Sequence, residues 1–85
     1  MKMNLYAIFD SVSGAFDRPW CSYTDGSASR NFGDIINSGE GPMARHPDHY
    51  RLYRVGSWND NTGKVVAEEE IEELVTGDKL VNTEN

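Results

Sequence analysis

Two histidines bracket a carboxylate at His46-Pro47-Asp48-His49, a spacing that a metal centre or an acid/base pair could use. The spacing implies no third ligand, and the plainer reading is a loop-to-strand junction in which Pro47 sets the direction of the chain and Asp48 caps or turns it. No glycine-rich phosphate loop, no Ser/His/Asp order and no HExxH occurs. Cys21 is the one cysteine, so an internal disulfide is excluded, and with no activating base nearby it reads as a small packed hydrophobe. These observations predict a protein that is not an enzyme and carries no cofactor and no metal.

Arginines interleaved with aromatic residues are more informative. Arg18 precedes Trp20 and Tyr23, and Tyr50, Arg51, Tyr53, Arg54 and Trp58 follow in one segment. Flat rings and guanidinium groups on an open sheet face can stack bases and track phosphates, as single-stranded nucleic acid requires. A dimer seam would use the same residue types, because aromatic side chains are also favoured in strands and at interfaces. Arg18, Trp20, Arg30, Arg51, Tyr53 and Arg54 are the candidate nucleic-acid contacts, with single-stranded DNA as the expected ligand.

The elements that must position these groups can be read along the chain. Leu5 to Phe9 (LYAIF) is a short apolar run that suits a central strand buried on both faces. Asp10 to Arg18 should turn the chain back, and Pro19 to Tyr23 reads as a second strand, begun by or edged with a proline that lacks a ladder donor. Thr24 is a good helix N-cap with Asp25 in the first turn. Ala28, Phe32, Ile35 and Ile36 then form one apolar stripe on a helix that stops near Asn37 to Gly39. Gly33 inside that helix suggests close packing of helix on sheet.

Ser38 to Arg45 reads as a loop by its Gly and Pro content. Asp48 to Trp58 reads as a long strand with Tyr50, Leu52, Arg54 and Trp58 on one face and Arg51, Tyr53 and Val55 on the other. Asn59 to Gly63 is turn chemistry, and Lys64 to Ala67 returns as the second arm of a hairpin. Glu68 to Leu74 could be helical, or the apolar residues flanking Thr76 to Lys79 could make a small strand and turn.

The fold class expected is therefore α+β. One amphipathic helix packs on one face of an antiparallel sheet of about four strands, in the order β-β-α-β-β. Residues 1–67 form the single domain, and 68–85 an acidic C-terminal extension.

Charge supports that division. Residues 1–67 carry seven basic and seven acidic side chains, whereas 68–85 carry seven acids against Lys79, so the net charge of −6 arises in the last 18 residues. The glutamate run could be a solvated surface, a competitor for the basic face, or a docking segment. A chain of 85 residues with 38% apolar content and eight glycines suits one globular core that dimer formation would help stabilise. No apolar stretch is long enough for a membrane span, and the N-terminus lacks a signal-peptide run, so a cytoplasmic protein without membrane contact is expected.

Taken in order, these pieces resemble a known family. They are Tyr6 to Asp10 (YAIFD), Arg18-Pro19-Trp20, and T-x-G-x-A-x-R-x-F-x-D from Thr24 to Asp34 followed by Ile36 and Asn37. His46-Pro47-Asp48 and the set Leu52-Tyr53, Val55-Gly56, Trp58 and Thr62-Gly63 complete them. The series is similar to the small nonstructural protein of the gokushovirus branch of the microviruses, tailless phages with single-stranded DNA genomes, over about residues 5–66.

The resemblance implies a DNA-binding protein of the bacterial host cytoplasm, active in the passage from duplex replication to single-strand synthesis and packaging. It supplies no catalytic residues, and the contact residues above come from their chemistry. The glutamate run is denser than the family pattern. The rival expectation is a protein-interaction module in which the open face meets a replication initiator, the capsid or a host factor and the acidic tail mimics DNA.

Overall fold

The computed structural model describes residues 1–82. Strand β1 (Lys2–Asp10) is the centre of a five-stranded antiparallel sheet. On one side it pairs with β2 (Ala15–Phe16) and then β3 (Trp20–Ser22). On the other side it pairs along its length with β4 (Tyr50–Asn59), which in turn pairs with β5 (Val65–Thr76). The α+β reading holds. The expected second strand, Pro19 to Tyr23, is β3, and the stretch expected only to turn the chain back holds the additional short strand β2; the chain leaves the ladder between Phe16 and Trp20, where Pro19 has no N–H to donate.

Helix α1 (Asp25–Ile36) covers one face of the sheet. Thr24 Oγ1 accepts from Ser27 N at 3.0 Å, and Ser27 Oγ accepts in return from Thr24 N at 3.3 Å, a reciprocal box that satisfies two orphan donors. Ala28, Phe32 and Ile36 of the expected stripe are buried against Tyr6, Ile8, Tyr50 and Leu52. Ile35 stays 43% exposed at the helix flank. Ala7 is buried too, while Leu5 and Phe9 are only half-buried, so β1 is covered more completely on its helix side than on the other.

Four expectations are corrected. Residues expected to form a loop include helix α2 (Gly41–Arg45), started by a proline in its first turn, where a missing N–H costs nothing. Pro47–His49 is a single 3-10 turn, so the long strand begins at Tyr50 rather than Asp48.

Val55 is an extra residue on β4: Tyr6 pairs with Arg54 and Leu5 with Gly56. Such a bulge reverses the alternation beyond it, and Trp58, opposite Met3, falls on the face of Arg51 and Tyr53 and not with Tyr50, Leu52 and Arg54. Finally, β5 is one strand through the glutamate run. A division at residue 67 cuts through it, because Glu72, Glu73, Val75 and Thr76 pair with β4.

The chain then returns to the helix. A 3-10 turn, Gly77–Leu80, sets Leu80 against α1, with Gly33 facing Leu80 rather than the sheet. Asn37 Nδ2 donates to the carbonyls of Gly33 and Leu80 at 2.8 Å each, and its Oδ1 accepts from Asn82 N at 2.8 Å. Among the described residues no helix is long and apolar enough to cross a membrane.

Candidate nucleic-acid interface

The sheet face away from α1 carries rings from three strands. Phe9 on β1 and Phe16 on β2 are register partners with ring centroids 4.8 Å apart. Tyr53 on β4 meets Phe16 edge-on at 5.4 Å and Phe9 at 6.2 Å. The three form a tilted aromatic cluster, a geometry that the ring quadrupoles favour. Phe16 is 44% exposed, and Trp58 lies further along β4 on the same face, opposite Met3 and Val65.

Arg51 belongs to this face, as the β1 register sets it opposite Phe9. Its guanidinium reaches Glu73 Oε1 at 3.3 Å, and the Tyr53 hydroxyl donates to the same oxygen at 3.3 Å. Both members of the ion pair are more than two-fifths exposed, so the pair is screened and weak. Arg51 Nε is buried with no partner among the described residues.

Arg54 has a different environment on the helix side. It donates to both carboxylate oxygens of Asp25, at 3.0 and 2.8 Å, and also contacts Glu72 and Glu68, the latter at 3.5 Å. Tyr6 Oη donates to Asp25 Oδ1 at 2.7 Å and accepts from Asn4 Nδ2 at 3.0 Å. The Tyr6 hydrogen bond, followed by Arg54, holds the Asp25 carboxyl below its ordinary range against the opposing effect of desolvation. Burial, then the Asp25 carboxylate, pushes Tyr6 up to about 12. The Asp25 hydrogen bond likewise holds Arg54 in its charged form. Arg54 thus ties the first turn of α1 to β4 and β5.

Residues 3–80 match the family model described as Phage ORF5 protein. The chain belongs to the Phage ORF5 protein family. It is a bacteriophage protein. Searches of curated proteins and of solved structures return no match.

In this member of the Phage ORF5 family the six candidate contacts do not share a surface. Arg51 and Tyr53 lie together on the open face, and Arg54 lies behind the sheet. Trp20 packs on Tyr6, 6.1 Å between ring centres, at the border of the core, with its indole N–H unpartnered among the described residues. Arg18, its side chain 97% exposed, lines a groove with Trp20, Asn31, Ile35 and Met43 on the helix side. Arg30 projects into solvent from α1.

Phe9 and Phe16 join the candidate surface in place of the residues lost from it. Phe9 sat in a run that read as doubly buried, and Phe16 in a segment that read as a turn. Their signal was the period-2 partnership of Phe9 with Arg51 once β1 and β4 are paired. His46 and His49 stack their rings at 4.9 Å, and no group of three metal-ligating side chains occurs among the described residues.

Proposed function

We propose that this phage protein binds single-stranded DNA without catalysis, in the bacterial host cytoplasm, during synthesis or packaging of a microvirus-type genome. The observation that carries the reading is the ring cluster. Phe9 and Tyr53 stand on β1 and β4, adjacent strands at the middle of the sheet, with Phe16 beside them, on the face that α1 leaves open. Aromatic residues on adjacent central strands of a helix-backed sheet are a platform on which successive unpaired bases stack. Stacking is worth roughly 1 to 3 kcal/mol per base and tolerates any sequence. With Arg51 the one arginine of the candidate set on this face, binding should lean on stacking and depend only modestly on salt.

The test is a titration of Trp20 and Trp58 fluorescence with oligonucleotides over a salt series, on the intact chain and on Tyr53→Ala and Phe16→Ala. The reading expects quenching, and weakening by roughly 5- to 150-fold for each ring removed. A second reading is favoured by one observation: Glu73 already holds Arg51, the one arginine of the candidate set on the open face, which leaves that face with little positive charge. On that reading the rings meet a protein, either a second copy in a homodimer or a viral replication or capsid protein. No quenching at any salt concentration, with loss of self-association in Phe16→Ala, would select it.

A further inference from the structure

Resting on the single-stranded DNA reading, we infer that the Arg51 guanidinium and the Tyr53 hydroxyl form a phosphodiester-binding site, and that the Glu73 carboxylate occupies the place of the phosphate in the free protein. Both donors converge on one oxygen, Glu73 Oε1, at 3.3 Å each. An anionic oxygen between a guanidinium and a hydroxyl is the arrangement that binds a backbone phosphate as well as a carboxylate. The site adjoins Phe9 and Phe16, so a phosphate held there leaves its base within reach of the rings.

The occupant is displaceable. Arg51 and Glu73 are 43% and 42% exposed, and neither side chain is held by further ion pairs among the described residues. The contrast with Arg54 is direct, since three carboxylates surround that guanidinium and its side chain is only 26% exposed. Glu73 is delivered to the open face by local register. Between Leu52 and Tyr53 the β4–β5 pairing slips by a residue at Leu74, so that Tyr53 faces Glu73 while Arg54 faces Glu72 on the other side of the sheet. Without that slip, the glutamate would miss the phosphate position. A polyanion therefore competes with one built-in carboxylate for one arginine, and the affinity of the free protein is held down by its own strand.

Three full-length variants test this by oligonucleotide titration at low and high salt. Glu73→Gln should bind roughly 3- to 10-fold tighter at low salt and steepen the log–log salt dependence by up to about 0.7, the contribution of one single-strand phosphate. Glu70→Gln removes the same charge from a side chain without an ion pair among the described residues, and it should do neither. Tyr53→Phe keeps the ring and deletes the donor, and it should weaken binding several-fold. If Glu73→Gln and Glu70→Gln shift affinity and slope equally while the unaltered protein binds DNA, the effect is general charge and the site is overturned. If neither the unaltered protein nor Glu73→Gln binds DNA at any salt, the single-strand reading falls and takes this inference with it.

Discussion

At the scale of single residues, the densest polar chemistry is structural. Tyr6, Asp25 and Arg54 form a chain in which each group fixes the ionisation of the next. Tyr6 ionises near 10 when unfolded and is pushed up to about 12 by burial when folded, so its contribution is complete below pH 10 and is lost as pH rises through 12. The shift corresponds to about 2 to 3 kcal/mol, and chemical denaturation at pH 9 and pH 12 should reveal the loss. Asp25, lowered in the folded state, contributes stability above its ordinary value of 3.8 that disappears as acid carries the pH through the depressed value. Tyr6→Phe should cost about 1 to 2 kcal/mol at neutral pH and flatten the alkaline decline. A decline of unchanged size in Tyr6→Phe would assign it to another group.

At the scale of elements, two glycines report close approaches. A Cβ on Gly77 would collide with the Pro47 carbonyl oxygen and lie 2.8 Å from Ile36 Cδ1, because the last 3-10 turn crosses directly over the turn that starts β4. Gly77→Ala should cost about 2 to 4 kcal/mol in urea unfolding, whereas Gly33→Ala, with Leu80 at an ordinary 3.8 Å, should be neutral or stabilising by up to about 1 kcal/mol. Thr24→Ala, which deletes the helix cap, should cost about 1 kcal/mol.

The helix and its cap were legible because a 3.6-residue period and a capping threonine are local signals. The face of Trp58 was not, since one inserted residue at Val55 reverses every later position and nothing in composition marks it. Nor was the glutamate strand legible: glutamate is disfavoured in strands, and Arg51 and Arg54 compensate for it only once β4 lies alongside.

At the scale of the whole molecule, the C-terminal segment belongs to the body it follows. Leu74, Val75 and Leu80 pack on the core, and Asn37 holds the main chain at Leu80 and Asn82. Ending the chain at residue 67 should therefore unfold it rather than expose a free basic surface; a cooperative thermal transition retained in that truncation would disprove the assignment. The candidate surface was half legible for a related reason. Residue types named the aromatic and cationic partners, but two faces, a bulge and three glutamates decided which of them meet.

The two outer margins of the sheet are defended by unlike means. One is broken by Pro19, a covalent interruption indifferent to solvent, while the other, β5, carries five carboxylates between residues 68 and 73. Only the second is a matter of charge. Replacing Glu68, Glu69 and Glu70 with glutamine should thus let Val65, Val66 and Ile71, already exposed along that margin, recruit strands from neighbouring molecules into fibrils that bind thioflavin, whereas the unaltered protein at the same concentration stays clear.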